Sequence, residues 1–195
     1  MKEKRYEICL SGSGGQGIIT AAILLAEAAG VYDGNYACQS QSYGPEARGG
    51  ASKAEVVISN LPIDYPKVRR PDLLLAMNQE SCDLYFPTLK PQGLLVVDAR
   101  LVTQLPADRA VAIPFTQIAR EKMGNAIVSN MVALGAIGRL SKAVTLKGLE
   151  AALLARVPQG TEEMNLAALH AGIDAAEKVN LRALPRIRSN EEEEL

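Results

Sequence analysis

Cysteine is too scarce and too scattered in this sequence to build a metal centre. Cys9, Cys38 and Cys82 are the only three, each stands alone, and no C-x-x-C pair occurs. That removes the usual iron–sulfur and zinc ligand patterns. The one histidine, His170, falls in an expected helix with no His or Cys three or four positions on, so it reads as a structural or surface residue. Tryptophan is absent and aromatics make up 4% of the chain, which leaves little stacking surface for single-stranded nucleic acid. Positive charge is not in excess either. The 21 Lys and Arg against 22 Asp and Glu give a net charge of -1, so no broad field exists to gather a phosphate backbone. The short clusters Lys2, Lys4, Arg5 and Arg69, Arg70 read as solvated surface. No run of about 18 apolar residues is present to span a bilayer. The charged start Met1–Arg5 leads directly into a short apolar run ended by glycines, which is no signal-peptide core. A cytoplasmic protein without nucleic-acid or membrane partners is expected.

What is present is ordinary globular material: 48% hydrophobic and 22% charged residues in a chain of 195, enough for one packed core without disulfides or metals. One domain over residues 1–181 is expected. Beyond it, residues 182–195 end in four glutamates and a leucine, a charged stretch unable to bury apolar area and expected to be disordered. Short apolar runs bounded by turn formers predict strands at Tyr6–Leu10, Tyr36–Ser40, Lys53–Ser59, Leu73–Met77, Leu94–Asp98 and Ala110–Ile113. Helices are predicted over Gly17–Ala29, Glu80–Leu89, Thr116–Met123, Val128–Leu140, Leu146–Arg156 and Glu162–Val179. Thr161 ahead of Glu162 and Glu163 suits a helix start, with the hydroxyl as cap. Gly135 and Gly138, set among alanines, mark a helix whose backbone approaches a neighbour closely. The fold class is α/β: a three-layer α/β/α sandwich with a mostly parallel sheet and a helical carboxyl third.

Between the first strand and the first helix lies Gly12-Ser13-Gly14-Gly15-Gln16-Gly17, which satisfies G-x-G-x-x-G in the place where that motif has meaning. Glycine permits a positive φ and close approach of a ligand. Uncapped amides at the helix start offer partial positive charge to a phosphate. A nicotinamide dinucleotide also needs an acid near the end of the second strand, and Tyr36-Ala37-Cys38-Gln39-Ser40-Gln41 supplies none, Asp33 lying too early. No Gly-Lys-Ser/Thr follows for a P-loop. Read alone, the segment is either a phosphate-bearing ligand site or a tight turn.

The polar stretch Ser42-Tyr43-Gly44-Pro45-Glu46-Ala47-Arg48-Gly49-Gly50 combines turn formers with a phenol, a carboxylate and a guanidinium. Together with the glycine loop some thirty positions earlier, it resembles the gamma subunits of 2-oxoacid:ferredoxin oxidoreductases, the 2-oxoglutarate type above all. The resemblance runs over about residues 5–180, through the Pro71-Asp72 strand approach and the helices bearing Asn130 and Asn165. Ala47 departs from it, since the similar sequences commonly carry a bulkier residue such as Met there.

The resemblance implies a multi-subunit enzyme that oxidatively decarboxylates a 2-oxoacid to an acyl-coenzyme A and passes the electrons to ferredoxin. Thiamine diphosphate and magnesium belong to alpha and beta partners, and iron–sulfur clusters largely to a ferredoxin-like delta subunit. This chain, inactive alone, holds no metal and no catalytic residue on that reading. It implies further that Gly12, Ser13, Gly14, Gly15, Gln16 and Gly17 hold the diphosphate of coenzyme A. Ser42, Tyr43, Gly44, Pro45, Glu46, Arg48, Gly49 and Gly50 then form the face toward the thiamine-bearing subunits. The competing readings are a free-standing nucleotide- or coenzyme A-binding Rossmann-like module and an NAD-dependent dehydrogenase.

Overall fold

The computed structural model describes residues 4–42, 51–106 and 110–184. In chain order they form β1 (Arg5–Ser13), α1 (Ile18–Glu27), β2 (Tyr36–Ser42), β3 (Ala51–Ser59), β4 (Leu73–Ala76), α2 (Gln79–Tyr85), β5 (Leu94–Asp98) and β6 (Ala110–Ile113), then α3 (Phe115–Met123), α4 (Ser129–Ser141), α5 (Leu146–Arg156) and α6 (Glu162–Glu177). The sheet order is β2-β3-β1-β4-β5-β6. β4, β5 and β6 continue parallel from β1, whereas β3 lies antiparallel to both β1 and β2. Five strands therefore share one direction and only β3 is reversed, because it returns from β2 as a hairpin partner.

The burial pattern follows from layering. β4 and β5 are buried at every position, as strands covered on both faces must be, which is why they read as unbroken apolar runs. One face carries Ile8, Leu10, Val56, Leu73, Leu75 and Val96 against α1 and the carboxyl-terminal helices. The other carries Cys9, Leu74, Leu95 and Val97 beneath Cys82 of α2, with Tyr85 and Phe86 at the margin. Burial pushes the Cys9 thiol up to about 12 and the Cys82 thiol up to about 11, so both behave as small apolar side chains. His170 is exposed and bonds Glu150 at 2.7 Å.

The helical layer is held by close backbone contact. α4 is apolar nearly all round, and it is buried at almost every position. A Cβ on Gly135 would overlap the Leu169 carbonyl of α6, and one on Gly172 would overlap the Val132 carbonyl of α4. Gly138 serves a different contact, against the Leu149 side chain of α5.

Thr161 does not cap α6 with its hydroxyl as the sequence suggests. Its φ and ψ are -112° and 1°, and its hydroxyl donates instead to the Pro158 carbonyl at 2.7 Å. That backbone is not the extended conformation an N-cap side chain needs. The Glu162 carboxylate accepts from the Gly160 amide at 2.7 Å. The charged tail lies, from residue 185 on, outside the described residues.

Glu7 pins the segment after β3 to the sheet. Only 4% exposed, it accepts from Arg5 Nε at 2.7 Å and from the Arg69 and Arg70 amides at 3.0 and 3.1 Å. Burial works to raise its pKa, but the Arg5 hydrogen bond and charge and the two amides outweigh it and hold it below the ordinary value. A lowered carboxyl pKa contributes stability above the unfolded value, lost as pH falls through the folded one. Glu7→Gln is therefore expected to lower stability by about 2 kcal/mol at neutral pH. The gap to wild type should close in denaturant titrations taken below pH of about 4; a gap independent of pH would contradict the assignment.

Candidate functional site

The connections leave β1 in two directions, toward β3 and β2 on one side and toward β4, β5 and β6 on the other. Open α/β sheets bind ligands at the carboxyl ends of strands around such a reversal. The glycine segment sits there. Gly12 is still in β1, opposite Ser52, and its carbonyl accepts from the Ser52 hydroxyl at 3.1 Å. A Cβ at Gly12 would overlap Gln16 Oε1 and lie 3.1 Å from Met77 Cβ, so this glycine is needed for packing.

The turn then closes on itself. Gln16 Oε1 accepts from the Ser13 amide at 2.6 Å, and the Gln16 amide donates to the Ser13 carbonyl at 3.2 Å. Asn78, just past β4, donates from Nδ2 to the Ser13 hydroxyl and accepts the Ser81 amide at 2.8 Å, fastening the loop to the neighbouring strand. Ser13 and Gln16 thus shape the loop, which leaves Gly14 and Gly15 at its tip. A Cβ on either would meet nothing within 4 Å.

Gly17 begins α1 with φ 71° and no side-chain cap, and no acid lies in the first turn. Its carbonyl takes Asn130 Nδ2 at 3.2 Å, and a Cβ on Gly17 would collide with that amide. Both the left-handed backbone and the close approach require glycine. Among the described residues, no hydrogen bond occupies the amides of Gly14, Gly15 and Gly17. The first-turn amides of α1 lack intrahelical acceptors by the geometry of any helix start. With no acid in the first turn to offset the dipole's positive end, the arrangement offers partial positive charge that suits an anion.

Beside it opens a cleft of about 330 Å³ running down the outward side of α1, with Thr20 and Leu24 on that wall and Met131, Met164 and Asn165 across from it. Sequence reasoning named the Asn130 and Asn165 helices but gave these side chains no role, and it missed Asn78 and Thr20. Asn130 meets Gly17 across 113 positions, a juxtaposition with no local signal. Asn78 follows the strand that pairs with β1, a placement the parallel topology makes legible.

Of the second predicted group, Ser42 ends β2 opposite Lys53. Tyr43, Gly44, Pro45, Glu46, Arg48, Gly49 and Gly50 lie outside the described residues. Where β3 begins, Ala51 stands opposite Ser13, so β3 starts beside the glycine loop. Nearby, Lys53 binds Glu55 at 2.6 Å. Burial alone would lower its pKa, but Glu55 outweighs it and the ammonium is held above its ordinary value. No helix among the described residues is long and apolar enough to cross a membrane.

The profile of the family "Pyruvate ferredoxin/flavodoxin oxidoreductase" matches residues 7–175. The 2-oxoglutarate synthase subunit KorC of Methanocaldococcus jannaschii is 49% identical over 179 residues, 90% of this chain and 96% of that one. The crystal structure of a keto/oxoacid ferredoxin oxidoreductase gamma subunit from Geobacter sulfurreducens superposes with a TM-score of 0.83 at 47% identity, covering 89% of this chain and 97% of the other. A 2-oxoglutarate:ferredoxin oxidoreductase from Magnetococcus marinus, with 2-oxoglutarate, coenzyme A and succinyl-CoA bound, shares the fold at TM-score 0.82 and 24% identity over 96% of this chain and 34% of that one. Sequence and fold agree, and the chain belongs to the pyruvate ferredoxin/flavodoxin oxidoreductase family.

Proposed function

We propose that this chain is the gamma subunit of a 2-oxoglutarate:ferredoxin oxidoreductase, and that its glycine loop grips the diphosphate of coenzyme A. The thiol is thereby presented to a reaction centre carried by other subunits. The observation that carries the reading is the set of amides at Gly14, Gly15 and Gly17, without partners among the described residues, ahead of a helix with no side-chain cap. Two relatives add support: the KorC relative belongs to a 2-oxoglutarate synthase, and the Magnetococcus protein of the same fold holds coenzyme A. In this role the chain binds and orients. Bond making belongs to the thiamine-bearing alpha and beta subunits and electron transfer to a ferredoxin-like delta subunit, with the segment from Ser42 to Gly50 turned toward the thiamine centre.

A dehydrogenase is disfavoured by topology as well as by composition. The acid that binds an NAD ribose comes from the strand next to β1. Here the reversed β3 intervenes, which puts β2 about 9–10 Å away. Asp33, the nearest acid in sequence, is committed elsewhere: it accepts from the Thr145 amide at 2.6 Å and from the Thr145 hydroxyl at 2.5 Å, which ties α1 to α5.

The test is inhibition of the assembled enzyme by inorganic pyrophosphate. Competition with coenzyme A, without competition against the 2-oxoacid, is expected. Loss of that pattern, or turnover by the isolated chain, would remove the reading.

A further inference from the structure

The sheet ends differently at its two edges. β6, at one edge, is four residues long, and shortness is an ordinary way to keep an edge strand from pairing with other chains. β2, at the other, runs seven residues in unbroken antiparallel register with β3, from Tyr36 opposite Ser59 to Ser42 opposite Lys53. It carries no charged residue, no proline and no bulge, and among the described residues no strand pairs with its outer side. Val31, Tyr32 and Tyr36, at its amino-terminal end, are exposed. The usual protections of an edge are missing, so its outward row of backbone N–H and C=O groups is fit to accept another strand.

The side chains of β2 say which strand that is. Gln39, Ser40, Gln41 and Ser42 are amides and hydroxyls, groups that both donate and accept, so the strand complements a copy of itself and leaves no charge unpaired. Gln39 stands at the midpoint of Tyr36–Ser42. Its Nε2 is buried with no hydrogen-bond partner among the described residues, a costly state for a donor. Two copies of β2 running antiparallel about a two-fold axis at Gln39 place the two Gln39 side chains directly opposite, on one face of the sheet. A turn of each amide about its last, soft torsion then lets the Nε2 of one copy donate to the Oε1 of the other.

We propose that β2 is an interface between two copies of this chain, which joins their six-stranded sheets edge to edge. In this register Cys38 faces Ser40 of the second copy and Ala37 faces its Gln41. β1 and β2 are each antiparallel to β3 and so run the same way. The two-fold axis therefore sends the two glycine loops to opposite ends of the joined sheet. Each chain keeps its own loop free for its own set of partner subunits, and the interface does not compete with it. The proposal goes beyond the reading of the loop and does not depend on what the loop binds.

The experiment uses the thiol that β2 itself carries. Cys9 and Cys82 are buried and Cys38 only partly so, which makes Cys38 the thiol within reach of a reagent. In the proposed register the two Cys38 residues are diagonal neighbours about 7–8 Å apart, within the span of bismaleimidoethane. That reagent is expected to join two copies of this chain, in the isolated chain and in the assembled oxidoreductase, and Cys38→Ser should abolish the product. In the Cys38→Ser background, Gln39→Cys should form a disulfide between copies on mild oxidation. Tyr36→Cys, about 20 Å from its counterpart at 3.4 Å per residue, should not. Gln39→Lys sets like charges opposite each other and should weaken self-association of the isolated chain about tenfold or more in sedimentation. Gln39→Glu should do the same, and mixing the two variants should restore the dimer. The proposal is overturned if the assembled enzyme yields no cross-linked pair of this chain, or cross-links from Cys38 to another subunit only. Equal disulfide formation by Gln39→Cys and Tyr36→Cys overturns it too, as the mark of random collision, and so does self-association unchanged by Gln39→Lys. Should the Gln39 variants fail to fold, cross-linking of the wild-type enzyme through Cys38 decides alone.

Discussion

Gly172→Ala is expected to destabilise the chain by about 3 kcal/mol, the upper end of the overpacking range. The new methyl would overlap the Val132 carbonyl oxygen of α4. A side chain in that place could rotate away, but a backbone carbonyl committed within a buried helix cannot, so α6 must move bodily. For a chain of this length the expected fall in Tm is roughly 6–12 °C, readable by calorimetry on the isolated chain or by loss of assembled enzyme. Gly135→Ala strikes the same crossing from the other side, at the Leu169 carbonyl. The two effects should not add: once one methyl has forced the helices apart, the second finds part of the space already opened. Full additivity would mean that the contacts are independent and that helix spacing is not the shared variable.

Gly14→Asp is expected to do the reverse, leaving stability nearly unchanged while raising KM for coenzyme A about a hundredfold or more. Gly14 has no positive φ, and a Cβ there meets nothing within 4 Å, so the folded chain accepts a side chain without strain. The space it enters is the one assigned to the diphosphate. A carboxylate there is a like charge facing the ligand and an internal acceptor for the same amides. Two lost charge-assisted hydrogen bonds, at about 1.5 kcal/mol each, already exceed a hundredfold. Gly15→Ala, one position on, confuses the two effects because Gly15 has φ 86° and an alanine there is strained by about 1–2 kcal/mol. An unaltered KM in a well-folded Gly14→Asp enzyme would show that the loop is only a turn.

The strands were legible where their surroundings are simple. β5 and β6 have the bounds expected of them, since an apolar run between turn residues has few alternatives when both flanks are punctuated. β1 runs on to Ser13, beyond the expected Leu10, because β3 offers backbone partners as far as Ala51. Pairing across some forty residues decides that end, and no local preference reports it. The expected helix over Glu80–Leu89 stops at Tyr85 and tightens into a 3₁₀ turn at Phe86–Thr88, because Pro87 has no N–H to continue the i to i−4 hydrogen-bond ladder. The Gly135 contact was anticipated. Its reciprocal at Gly172 was not, because the heavy predominance of alanine and leucine around it looks the same in any buried helix.

Local sequence by itself determined the strand–glycine–helix opening, the apolar strands and the want of an acid for a ribose, since each depends on residues within a few positions of one another. Only the tertiary structure decided which amides of the loop lack partners among the described residues. Gln16 turns inward onto Ser13, Asn78 and Asn130 arrive from distant elements to brace the loop, and the α4–α6 crossing sets the wall of the cleft. An amide's availability depends on every group that could have reached it, and those groups come together only when the whole sheet and its helices are packed.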